Sequence, residues 1–127
     1  MFGDFRTAAL LGAGLAFTSC DALEPTFCTT DFRWGLEVSV FDAETGASLA
    51  DSATLHLRDG TWTETVDDPV WPGEPGVIHA AGERGGMYDV TVERPRYQTW
   101  TRSGVRVEED ECHMIPVALD AALILER

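Results

Sequence analysis

The chain has 127 residues and a formal net charge of −13, and all nine of its cations are arginine. That length holds one domain with a buried core. Such an acidic surface repels phosphate backbones and anionic head groups, which argues against nucleic-acid binding and against polybasic docking to membranes.

Residues 1–19 read as a targeting segment rather than as part of a fold. Arg6 and the amino terminus form a weak positive region, diluted by Asp4. Ala8 to Phe17 follows as an apolar run, too short to cross a bilayer as a helix. The run ends in Phe17-Thr18-Ser19-Cys20. This resembles the lipobox of bacterial lipoprotein precursors, in which small residues precede a cysteine that is acylated and becomes the first residue. Phe17 departs from the leucine the family favours there. The resemblance implies a signal peptide over 1–19, lipidation of Cys20 and a membrane-anchored protein of the bacterial cell envelope. The competing reading is ordinary signal cleavage after Ala16, with Gly14 and Ala16 as the small pair and a secreted product.

The chain has three cysteines, which leaves one unpaired in a compartment that permits disulfides. If Cys20 is lipidated, Cys28 and Cys112 are left to pair. Their bond would close a loop of roughly 85 residues and contribute about 4–5 kcal/mol in the chain-entropy model. The alternative is two free buried thiols. Residues 20–32, with Pro25, read as a tether, and residues 33–127 as the folded domain.

Within the domain, Leu36, Val38 and Val40 alternate with Glu37 and Ser39, predicting a strand from Trp34 to Phe41. Asp42 to Gly46 is a turn. Ala53, Leu55 and Leu57 predict the inward face of a second strand, with Thr54, His56 and Arg58 outward. Asp59-Gly60 is a strong hairpin signal. Thr61, Thr63 and Thr65 then oppose Trp62, Glu64 and Val66 on a returning strand. Asp67-Asp68-Pro69 ends it, and Val70 to Gly76 is a loop by composition. Val77 to Ala80 is a short strand candidate. Met87 to Glu93 alternates strictly, with Tyr88, Val90 and Val92 on one face. Arg94-Pro95-Arg96 interrupts it, and Tyr97 to Thr101 pairs back as a hairpin partner. Val105 and Val107 form a brief separate run. Ile115, Val117 and Leu119 mark a last strand, which Pro116 restricts to a sheet edge or a bulge. Ala121 to Leu125 continues that strand or forms a short helical end. Seven or eight strands at this spacing predict an all-β fold, an antiparallel β-sandwich.

The opening strand with DAETG, the A-x-L-x-L run followed by DG, and the later AGERGG-M-Y-D-V-T-V segment with Tyr97 and Trp100 resemble the carboxypeptidase regulatory-like domain. The resemblance covers Gly35 to Leu119. It implies a transthyretin-like sandwich and a noncatalytic accessory or binding module. Arg96 stands where that family commonly has glycine. The transthyretin-like hydroxyisourate hydrolases end in a Tyr-Arg-Gly-Ser tetrapeptide, whereas this chain ends Leu123-Ile124-Leu125-Glu126-Arg127.

No local spacing assembles a catalytic set or a metal site. His56, His79 and His113 lie on different segments, without the pattern of a zinc site, and there is no G-x-S-x-G elbow. Glu108 to Glu111 reads as a solvated acidic turn rather than a calcium loop. Trp34, Trp62 and Trp100 are expected to pack in or beside strands. Trp71, in a Pro/Gly loop, is either a cover for one end of the core or a binding residue. The expectation is thus a noncatalytic envelope lipoprotein with no cofactor, contacting an envelope protein or a glycan. A carbohydrate-binding module using Trp71 and a small metal-dependent enzyme are the alternatives.

Overall fold

The computed structural model describes residues 27–67 and 75–127. Among these residues seven strands follow in chain order: β1 (Trp34–Asp42), β2 (Thr54–Asp59), β3 (Trp62–Val66), β4 (Val77–Gly82), β5 (Gly86–Glu93), β6 (Trp100–Val107) and β7 (Val117–Leu123). They form two sheets, ordered β4-β1-β7 and β3-β2-β5-β6. The sheets pack as a sandwich, as the period-2 patterning predicts. Every strand pairing is antiparallel except β1 with β7, which is parallel.

The inward residues are those the alternation selects. Leu36, Val38, Leu55, Ile78, Tyr88 and Val92 are each fully buried and share one core. Trp62 and Val66 on β3 and Trp100 on β6 pack against that core from the rims of the four-stranded sheet. The β2–β3 hairpin closes through Gly60-Thr61, with Asp59 opposite Trp62. Gly60 sits at φ +62, the first loop position of a tight hairpin turn, where a side chain is disfavoured.

Two sequence expectations change. The expected runs at Tyr97–Thr101 and Val105–Val107 are redrawn: β6 is one strand from Trp100 to Val107, and Tyr97 lies outside it, bridged to Leu125 rather than to β5. The pairing register with β5 shifts between Tyr88 and Val90, and Gly104 opposite takes φ +68. A glycine at positive φ accommodates the extra residue as a bulge and lets the strand continue. The last strand also begins later than the Ile115 alternation suggests. Ile115 is half exposed, and the inward residues of β7 are Leu119, Ala121 and Leu123. Pro116 immediately precedes β7, which is an edge strand, as the missing N–H requires.

The ends of the sandwich are tied by specific bonds. Arg96 takes the positive φ (+76) that glycine would adopt in the β5–β6 turn. The C-terminal segment holds that turn: the Glu126 N–H donates to the Arg96 carbonyl, and the Gln98 N–H to the Ile124 carbonyl. Across the other rim, the Ala81 N–H donates to Glu64 Oε1 at 3.0 Å, linking β4 to β3 between the sheets. Cys28 and Cys112 are disulfide-bonded, with 5.1 Å between their Cα atoms. The bond fastens the approach to β1 onto the β6–β7 connection.

Asp42 ends β1 and organises the following turn. Its Oδ1 accepts the N–H groups of Glu44 and Thr45, and its Oδ2 accepts the Tyr97 hydroxyl at 2.7 Å. The Tyr97 hydroxyl above all, then the Thr45 and Glu44 N–H groups, hold the Asp42 carboxyl below its ordinary value. The same bond, aided by burial, holds the Tyr97 phenol above its own. The Asp42 contribution to stability is therefore complete above the ordinary carboxylate pKa of about 3.9 and is lost as pH falls through the lower folded value. The Tyr97 contribution is complete below about 10 and is lost as pH rises through the higher folded value. Asp42→Asn should flatten both limbs of a plot of urea midpoint against pH. Unchanged limbs in that variant would show that the pair does not carry the pH dependence.

Candidate functional site

The outer face of the four-stranded sheet gathers polar side chains from three neighbouring strands. Register places Arg58 on β2 between Thr63 on β3 and Asp89 on β5, and His56 between Thr65 and Thr91. Because successive side chains alternate faces, these six residues lie together above a floor of buried core residues such as Leu57 and Val90. They line a shallow depression of about 400 Å³.

Most charges around this depression are already engaged. His56 Nδ1 lies 3.2 Å from the Thr65 hydroxyl, and its Nε2 lies 3.4 Å from Glu93 Oε2. Asp89 Oδ1 accepts the Gly104 N–H at the bulge, at 3.4 Å. Arg58 differs: among the described residues its side chain has no hydrogen-bond or ion-pair partner, although Asp89 is its cross-strand neighbour. The sequence pattern gives the outward direction of these side chains. Their grouping depends on strand order and register, which no local motif encodes.

The sequence-predicted site residues fall elsewhere. Cys20 and Trp71 lie outside the described residues. Cys28 and Cys112 are joined as expected. The three histidines do not converge. His56 is on the outer face of β2 and His79 is on β4, in the other sheet. His113 is buried in the β6–β7 connection, with Nε2 2.9 Å from the Thr29 hydroxyl and Nδ1 3.8 Å from Glu83 Oε2. Among the described residues, no group of three or more His, Cys, Asp or Glu side chains is placed to hold a metal ion.

Two members of the acidic turn act inside the protein. Asp110 Oδ1 accepts the N–H groups of Cys112 and His113, while Glu109 Oε1 accepts that of Gly85. The donors on His113 and then Cys112 hold the Asp110 carboxyl below its ordinary value. The turn thus fixes the loop that carries the disulfide. Of the tryptophans expected to pack, Trp62 lies under the Arg84 guanidinium, 4.0 Å from its ring centroid, and edge-on to Tyr88. Trp34 is half-buried against Phe32, with ring centroids 4.9 Å apart.

No family model matches the chain, and no curated protein matches it either.

Proposed function

We propose that this protein is a noncatalytic lipoprotein of the bacterial cell envelope, held by an acylated Cys20 and presenting a carboxypeptidase regulatory-like sandwich as a binding or scaffolding module. The observation that carries the reading is the bond between Cys28 and Cys112. Structural disulfides belong to oxidising compartments, and this one uses two of the three cysteines. The remaining thiol, Cys20, directly follows the short apolar run and its Thr18-Ser19 pair. Lipidation is the chemistry that gives this odd cysteine a role.

The binding role draws on the outer face of the four-stranded sheet, a rigid platform with polar groups grouped over a packed core. The test is mass spectrometry of the protein extracted from host membranes. The expected N-terminal peptide begins at Cys20 and carries acyl chains, and Cys20→Ser should move the protein from the membrane to the soluble fraction. A membrane-fraction peptide with an unmodified Cys20 would end the lipoprotein reading.

A further inference from the structure

The depression on the four-stranded sheet has a chemical character of its own. The chain is strongly acidic, yet Arg58 stands in this concavity without a partner among the described residues. The acids of the same face are otherwise occupied: Glu93 faces His56, and Asp89 takes the Gly104 N–H. The hydroxyls of Thr63 and Thr91 likewise make no hydrogen bond to a described residue, and a hydroxyl can both donate and accept. An exposed guanidinium offers a planar fork matched to a carboxylate. Ringed by hydroxyls and by the second oxygen of Asp89, it matches a ligand that carries one carboxylate and several hydroxyl groups. A volume of about 400 Å³ accommodates one or two sugar rings.

We propose that this depression binds a uronic-acid sugar, with its carboxylate on Arg58 and its ring hydroxyls on Thr63, Thr91 and Asp89. The proposal rests on the binding-module reading above and names the ligand class. The selectivity follows from charge. A neutral hexose of the same shape makes only the hydroxyl contacts and leaves Arg58 unanswered. The ligand is the uronate unit, either free or within an acidic polysaccharide.

The experiment is calorimetric titration of the full chain, extracted from membranes in detergent, with galacturonate, galactose and a galacturonate oligomer. Galacturonate should bind saturably and at least tenfold more tightly than galactose. Arg58→Gln should remove that difference while leaving the thermal transition unchanged, because the Arg58 side chain is exposed and has no partner among the described residues. Thr63→Val with Thr91→Val should weaken both sugars. Tighter binding of the oligomer identifies the polysaccharide as the source, and equal binding identifies the free acid. Equal affinity for galactose and galacturonate, or no saturation by either, overturns the assignment. A silent titration in protein whose Cys20 carries acyl chains sinks the ligand and leaves the envelope reading standing. Uronate binding by a chain with unmodified Cys20 does the reverse.

Discussion

Replacing Cys28 and Cys112 together by serine should lower the free energy of unfolding by about 4–5 kcal/mol, the largest single effect expected in this chain. The bridged positions are 84 residues apart, and every strand except β7 lies between them. Opening so long a loop restores much of the conformational freedom of the unfolded state. The folded state loses less, because other bonds hold the same segment. The Arg33 N–H donates to Glu83 Oε1 at 2.8 Å, the Glu83 N–H donates to the Arg33 carbonyl, and the Thr29 hydroxyl meets His113. Urea unfolding of the double variant, compared with the parent under reducing and oxidising conditions, reads the effect. A loss below about 1 kcal/mol would mean that the segment before β1 frays independently of the sandwich.

Tyr88→Ala should cost about 3–5 kcal/mol, the range for removing a large aromatic from a packed core. Tyr88 is fully buried on β5, an interior strand of its sheet. Its ring meets Trp62 edge-on, and its hydroxyl donates to the Arg84 carbonyl at 2.7 Å while accepting from Arg84 Nη1 at 3.0 Å. Tyr88→Phe separates the two contributions. It keeps the ring and loses the hydroxyl, and should cost about 1 kcal/mol. Met87→Ala is the control one residue away, because its side chain is on the wet face and the change should fall within about 0.5 kcal/mol. Denaturant midpoints for the three variants give the order directly. A Tyr88→Ala cost close to that of Met87→Ala would mean the core is packed elsewhere.

Alternation made most of this fold legible. A residue such as Val38 or Val90, apolar between two polar neighbours, can satisfy its side chain in only one way on a pleated strand. Burial therefore follows from sequence at nearly every strand position. The β6 bulge was not legible, because Gly104 looks like a turn residue when read alone. Only pairing with β5 shows that a glycine there keeps the strand continuous. Arg96 is similar: nothing in its side chain announces a positive φ. The C-terminal segment imposes that conformation through the Glu126 N–H bond to its carbonyl.

The candidate site divides along the same line. The sequence alone determines that Arg58 and His56 leave β2 on the face opposite Leu57, and that Thr63 and Thr65 leave β3 opposite Trp62, because side-chain period is a local property of the backbone. Its cysteine count and leader pattern likewise raise the Cys28–Cys112 pairing. Only the tertiary structure decides that β5 lies beside β2, in a register that sets Asp89 against Arg58 and Thr91 against His56. It also decides that β1 and β7 run parallel at the centre and edge of the other sheet. These are contacts between segments far apart in the chain. They are selected by how two sheets bury one shared core, and no local pattern carries that information.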